Sequence, residues 1–250
     1  MSSTARFATP KQLVAPSDAE AASERDARAS RAHSWFDLLV RAALALLFAL
    51  SGGAYLHNAL PRFQGVDLAH PDAALILDGL STCAIALYTY LIALIYVLRL
   101  RAVNKFAGVT PLVIALVGGF LPMGLLYLRP RQDLSATLEL TSDALILIGN
   151  VLATIALSHL GRSFSIIPEA RRLVTSGPYR LVRHPLYVAE ALATLGAMIY
   201  FLSAAAVVLV AVQFALQLLR MHYEERVLRE TFPEYADYAK RTARIIPRVY

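Results

Sequence analysis

Residues 161–190 read GRSFSIIPEARRLVTSGPYRLVRHPLYVAE and interrupt a chain that is otherwise built from long apolar blocks. The stretch holds five arginines, a Gly-Pro-Tyr turn that begins at Gly177 and an Arg-His-Pro step that begins at Arg183. A lone carboxylate, Glu190, follows inside the next apolar block. A chain that only crosses a membrane does not need this charged insertion. We therefore interpret it as part of a ligand site at a membrane surface.

The composition outside this stretch is that of a membrane protein. Hydrophobic residues make up 57% of the 250 residues and charged residues 17%, and the apolar residues lie in long blocks. The formal net charge of +6 does not indicate a nucleic-acid partner, because the arginines lie at the ends of apolar segments. That placement follows the positive-inside rule for membrane helices. We expect an all-α integral membrane protein that binds the lipid bilayer and no nucleic acid.

The apolar blocks predict four long transmembrane helices within residues 34–160. Pro61 is expected to end the first of them, and glycines and prolines are expected to kink the third. Residues 1–33 lack helical apolar periodicity and the apolar core of a signal peptide, so they predict a mostly disordered cytosolic arm, with a helix near residues 19–32 as an open alternative. The predicted helices cover residues 35–60, 73–98, 106–128 and 138–160.

The last apolar block, residues 185–219, is long for one helix, since about 20 residues cross a membrane once. Ser203 lies near its middle, so two short helices would form a hairpin; a single long helix is the alternative. The hairpin would return the polar tail, residues 220–250, to the side of residues 161–184. The count of basic residues places that side and both termini in the cytoplasm. Residues 161–250 thus form the predicted ligand-binding region.

Three residues near the start of the last apolar block carry candidate chemistry. Glu190 is the only charge between His184 and Arg220, and an ionisable residue inside a membrane segment indicates function. Tyr187 lies three residues before Glu190 and shares its helix face. Pro185 suits the first position of a helix and puts His184 at its cap. A structural ion pair of Glu190 with a nearby arginine is the alternative interpretation.

The polar tail offers a second group of candidates. Glu224 and Glu225 are adjacent on a helix, so one carboxylate can hold a ligand while the other pairs with Arg229. Arg241 and Arg244 follow, in a pattern that also suits a plain surface helix. The chain has no glycine-rich nucleotide motif, no serine nucleophile elbow and no zinc-binding motif, and its single cysteine, Cys83, makes no internal disulfide. No metal site is predicted.

Three strings taken together resemble the isoprenylcysteine carboxyl methyltransferase family, whose members include phospholipid methyltransferase relatives and many bacterial membrane proteins. They are LGRSFSI from Leu160, LVTSGPYRLVRHPLYVAE from Leu173 and HYEERVLRETFPEYADYAKRTARIIP from His222. The resemblance covers residues 160–247. The first three predicted helices carry no matching motif.

The resemblance implies an enzyme that binds S-adenosyl-L-methionine in its C-terminal cytosolic segments, in a bacterial inner membrane. It implies catalytic roles for Glu190, Arg241 and Arg244. The implied cofactor-binding residues are Gly177, Pro178, Tyr179, Arg183, His184, Tyr187, Glu190, Glu224 and Glu225, with the choice between Glu224 and Glu225 left open.

The methyl acceptor implied by the resemblance is a lipophilic small molecule or a lipidated protein. Methylation of a carboxylate oxygen is the preferred reaction, and a thiol or a phospholipid amine is the alternative acceptor. Two other functions remain open: an NADPH-dependent membrane reductase of the sterol-reductase type, and a non-enzymatic scaffold or transporter.

Overall fold

A computed structural model describes residues 18–64, 72–100, 102–105 and 108–247. The contacts divide the chain after Arg41, and the candidate site lies within residues 42–250. Helices form most of the described chain. They are α1 (Asp18–Gln64), α2 (Ala73–Leu98), α3 (Val109–Phe120), α4 (Ala136–Leu160), α5 (Pro185–Tyr200), α6 (Ala204–Thr231) and α7 (Tyr235–Arg241).

Five helical segments in the described residues are long and apolar enough to cross a membrane, and α5, at 16 residues, is shorter. Two strands of two residues each, β1 (Asn104–Lys105) and β2 (Glu169–Ala170), pair antiparallel between the loops. The expected all-α integral membrane architecture is therefore confirmed. The five segments are Asp37–Gln64, Ala73–Leu98, Val109–Tyr127, Ala136–Ser163 and Ala204–Thr231.

The apolar block after Pro185 folds as a helical hairpin, as predicted. Helix α5 ends at Tyr200, and the Ser203 hydroxyl accepts a hydrogen bond from the backbone N–H of Ala206, which caps the start of α6. Helix α6 then runs through residue 219 without a break and ends at Thr231. The predicted boundary at Leu219 is therefore a change from apolar to polar sequence inside one continuous helix.

One predicted helix boundary was wrong. Helix α1 continues past Pro61 to Gln64, because a proline in the last turn removes only one intrahelical hydrogen bond. The third span, Val109–Tyr127, agrees with the predicted one, and its irregular part is a 3-10 helix, Leu121–Tyr127, that continues the α-helix after Phe120. Residues 18–33 of the predicted arm lie in α1, and residues 1–17 lie outside the described residues.

Helix α4 packs between α2 and α5 and holds the membrane core together. Tyr96 on α2 and Leu157 on α4 are almost fully buried in this core. Gly149 allows a close approach, since a Cβ atom there would lie 2.5 Å from the backbone nitrogen of Ala193 on α5. Backbone hydrogen bonds fix the loop after α4 to the loop after α2, for example from Leu100 N–H to the Arg162 carbonyl. The charged stretch is thereby held over one end of the bundle.

Candidate functional site

A cavity of about 630 Å³ lies within residues 42–250 and extends from the charged stretch into the helix bundle. We call the side chains of Tyr179, His184, Glu224 and Tyr235 its polar end, which lies beside the loops. Opposite them is the apolar end, near the turn between α5 and α6. The apolar end is lined by Met123, Leu126, Ala197 and Phe201.

Glu190 lies on the cavity wall and joins three helices. Its Oε1 accepts a hydrogen bond from the Tyr88 hydroxyl on α2 at 2.6 Å, and its Oε2 accepts one from Gln217 Nε2 on α6 at 3.3 Å. Both of these donors are uncharged, and the carboxylate also interacts electrostatically with Arg220, which lines the same cavity. The side chain is thus held in place at the cavity wall, where a bound ligand would meet it.

Arg220 brings a buried cation to the same cavity. Its side chain is 5% exposed, and its Nη2 donates to the Ile166 carbonyl at 3.2 Å. Its guanidinium carbon lies 5.0 Å from the centre of the Tyr187 ring, which is within the range of a cation–π interaction. Its Nε is buried and has no hydrogen-bond partner among the described residues. This arrangement fits the binding of an anionic group.

The two adjacent glutamates have different surroundings. Glu224 lines the cavity and accepts a hydrogen bond from the Tyr187 hydroxyl. Glu225 is 3% exposed, and its Oε1 lies 3.0–3.1 Å from Arg183 Nε, His184 Nε2 and Arg244 Nε. Its Oε2 accepts from an Nη atom of Arg229 at 2.9 Å, so both oxygens are occupied inside the protein. The geometry favours Glu224 over Glu225 as the ligand-facing carboxylate.

The chain after α7 lies beside the Arg-His-Pro step. Val182 and Ala243 form a parallel bridge, and the backbone N–H of His184 donates to the Arg244 carbonyl at 3.1 Å. Arg183 donates through Nη1 to the Ala239 carbonyl in the last turn of α7 and to the Thr242 carbonyl just after it. Arg183 and His184 still line the cavity, so their ion pairs also fix the wall of the polar end.

Arg241 and Arg244 do not line the cavity, and their catalytic role stays a prediction. Arg241 is exposed and donates to the Asp237 carbonyl within its own helix. The Arg244 side chain points to Glu225, because the bridge at Ala243 holds the segment against the Arg-His-Pro step. Their geometry fits a structural role.

The Gly-Pro-Tyr turn contributes one side chain to the cavity. Tyr179 lines it, and Gly177 and Pro178 do not. Gly177 has a φ of +59°, and a Cβ atom there would lie 2.2 Å from the ring of His159. These two residues therefore position Tyr179, whose carbonyl accepts a hydrogen bond from the Tyr238 hydroxyl at 2.7 Å.

Burial keeps the tyrosines of the polar end protonated. It raises the pKa of Tyr179 and of Tyr235, and it raises the pKa of Tyr238 to about 12. The hydroxyls of Tyr179 and Tyr235 are buried and have no hydrogen-bond partner within the described part of the chain. They are therefore hydrogen-bond donors that a polar ligand can use.

Four residues that line the cavity were not among the predicted site residues: Tyr88, Gln213, Gln217 and Arg220. Three of them had a recognisable signal, because residues 213, 217, 220 and 224 recur at helical spacing along one face of an apolar segment. Tyr88 had no such signal, since it lies 102 residues from the glutamate that it contacts.

Replacing Gly177 with alanine is expected to destabilise the protein by about 2 kcal/mol or more, because strain at positive φ adds to the clash with His159. Gly161→Ala is the matched control, since its φ is +52° and nothing lies within 4 Å of a Cβ there. The control should lose only about 1 kcal/mol. Thermal unfolding in detergent measures both, and equal losses would contradict the role of the close contact.

Residues 138–235 match the phospholipid methyltransferase family. The cobalt-zinc-cadmium resistance protein CzcN of Cupriavidus metallidurans is 40% identical over 100 residues, which cover 38% of this chain and 46% of that protein. Protein-S-isoprenylcysteine O-methyltransferase B of Arabidopsis thaliana is 32% identical over 114 residues, which cover 42% of this chain and 57% of the relative.

A third relative, the nickel-cobalt-cadmium resistance protein NccN of Alcaligenes xylosoxydans xylosoxydans, is 36% identical over 115 residues, which cover 43% of this chain and 52% of the relative. The chain spans about half the length of the curated relatives that it matches. The matches confirm the resemblance to the isoprenylcysteine carboxyl methyltransferase and phospholipid methyltransferase family.

Proposed function

We propose that this chain is an integral membrane methyltransferase that uses S-adenosyl-L-methionine to methylate a lipophilic acceptor. The observation that carries the proposal is a continuous cavity, whose polar end continues into an apolar end between membrane helices. A water-soluble cofactor fits the first part and a lipid-like acceptor fits the second. Glu190 and Arg220 both line this cavity and would be available where the two ligands meet.

The chemistry of the polar end fits the cofactor. S-adenosyl-L-methionine has an ammonium and a carboxylate, two ribose hydroxyls and an adenine, and it supplies an electrophilic methyl group when bound. Glu224 would hold a cationic or hydroxyl group, and the unpartnered hydroxyls of Tyr179 and Tyr235 would donate to polar atoms of the cofactor. His184 and Arg183 would shape the wall.

The preferred acceptor is a carboxylate. Arg220 is a buried guanidinium with an unpartnered Nε, and a carboxylate pairs with that fork more strongly than an uncharged group does. A carboxylate also needs no general base, so the protein has only to orient it and exclude water. Glu190 would orient the reacting groups by its charge, and Tyr88 and Gln217 would fix its position.

The proposed location is a bacterial inner membrane, with both termini and the polar end on the cytoplasmic side. The basic residues of the stretch between α4 and α5 support this orientation through the positive-inside rule. The polar end would then face the compartment in which the cofactor is made.

Titration of the detergent-solubilised protein with S-adenosylhomocysteine tests the cofactor site. We expect saturable binding and about tenfold weaker binding by Glu224→Gln, because the charged hydrogen-bond acceptor is lost. Glu230→Gln is the control, since Glu230 pairs with Arg226 on the exposed surface of the same helix. Stabilisation by NADPH and not by S-adenosylhomocysteine would contradict the proposal and favour a reductase.

A further inference from the structure

Gln213 is a buried amide inside the membrane part of the cavity. It lies on α6 and lines the cavity wall, and only 2% of its surface is exposed. Its Oε1 is buried and has no hydrogen-bond partner among the described residues. The function proposed above assigns no role to this side chain.

The surroundings of Gln213 do not supply a donor. One turn towards the start of α6 lies Val210, which packs with Leu125 in an apolar cluster. One turn in the other direction lies Gln217, whose amide donates to Glu190. Gln213 therefore sits about 6 Å further from the polar end than Gln217, given a rise of about 1.5 Å per residue.

The amide nitrogens of two other side chains that line the cavity have partners inside the protein. Asn150 Nδ2 donates to the Ile146 carbonyl of its own helix at 2.8 Å, and Gln217 bonds to Glu190. A buried carbonyl oxygen without a donor costs free energy, and the cost is higher where lipid surrounds the helices. Such a group is retained where a ligand completes its hydrogen bonding.

We propose that Gln213 determines acceptor specificity by accepting a hydrogen bond from a hydroxyl or amide N–H group on the lipophilic tail of the acceptor. The acceptor is then an amphiphile with a second, uncharged polar group about 10 Å from the carboxylate that Arg220 binds, since seven residues of α6 separate Gln213 from Arg220. A plain hydrocarbon tail would leave the Gln213 oxygen without a partner. This inference rests on the proposed function, because the proposed function places the reacting carboxylate near Arg220 and Glu190.

Binding of hexadecanoic acid and of its monohydroxy derivatives tests the inference. The readout is displacement of a fluorescent fatty acid from the detergent-solubilised protein. We expect the wild-type protein to bind the derivative whose hydroxyl lies about 10 Å from the carboxyl group up to tenfold more tightly than the plain acid. Derivatives with the hydroxyl at the far end of the chain should bind no better than the plain acid.

Gln213→Met keeps the length of the side chain and removes the amide, so it should bind the two acids equally. Val212→Met is the matched control, because Val212 is the neighbouring residue, is 47% exposed and does not line the cavity. The control should keep the wild-type preference. Equal binding by the wild type, no binding of either acid, or an unchanged preference in Gln213→Met would each overturn the inference.

Methyl transfer to the same acids, measured with labelled S-adenosyl-L-methionine, separates this inference from the proposed function. A binding preference that depends on Gln213, with no methyl transfer to either acid and no binding of S-adenosylhomocysteine, would support the inference and contradict the function. Methyl transfer at equal efficiency to both acids, with equal binding, would support the function and overturn the inference.

Discussion

Glu190→Gln is expected to lower the rate of methyl transfer about 100-fold, which is the effect of removing one preorganised charge from an active site. The substitution keeps the shape of the side chain and an oxygen that accepts from Tyr88. The new NH2 group cannot accept from Gln217, but the Gln217 amide can turn so that its oxygen accepts from that NH2, which keeps α5 bonded to α6. Thermal unfolding should therefore change little. The measurement is kcat and KM for labelled methyl transfer, and the loss should appear in kcat.

Glu139→Gln is the control for this prediction, because Glu139 is an exposed carboxylate in the first turn of α4 and lies outside the cavity. It should leave the rate unchanged. If Glu190→Gln instead lowered the unfolding temperature and left the binding of S-adenosylhomocysteine unchanged, the result would support a scaffold or transporter. That result would make the carboxylate structural.

Glu225→Gln is expected to destabilise the protein by about 3 kcal/mol, because it leaves buried cations without a counter-charge. Glu225 is the shared partner of Arg183, His184 and Arg244, whose side chains are at most 14% exposed. The unfolding temperature in detergent should fall by about 6–12 °C for a chain of this size. Cofactor binding should weaken as well, since Arg183 and His184 form part of the cavity wall.

Glu230→Gln makes the matched comparison, since Glu230 lies on the same helix and is 51% exposed in its pair with Arg226. It should cost about 0.5 kcal/mol or less. Similar losses in the two variants would contradict the view that Glu225 is the centre of a buried ion-pair network. An unchanged Glu225→Gln protein that fails to bind S-adenosylhomocysteine would instead make Glu225 a ligand-binding residue.

The membrane architecture could be predicted from the sequence because it depends on local composition. Apolar length predicts the spans, and the length of the block after Pro185, with Ser203 near its middle, predicts the hairpin. Boundaries were less accessible. Pro61 lies in the last turn of α1 and does not end it. The polar residues 213, 217, 220 and 224 continue across Leu219 at helical spacing, but the change from an apolar to a polar sequence predicts a boundary there.

The candidate site was accessible only where it depends on one helix. The spacing of Tyr187 and Glu190 on α5 predicts a shared wall, and both line the cavity. The choice between Glu224 and Glu225 depends on the rotation of α6 against the Arg-His-Pro step, which one sequence does not specify. The position of Arg244 depends likewise on a bridge between segments about 60 residues apart.

Transfer of a labelled methyl group from S-adenosyl-L-methionine to lipid extracts of bacterial membranes tests the central claim most directly. With the wild-type protein, label should appear in material soluble in organic solvent, and base should release it if the product is a carboxyl ester. With Glu190→Gln, the label should fall about 100-fold. Wild-type protein that binds S-adenosylhomocysteine and yet labels no more lipid-soluble material than Glu190→Gln would contradict the account.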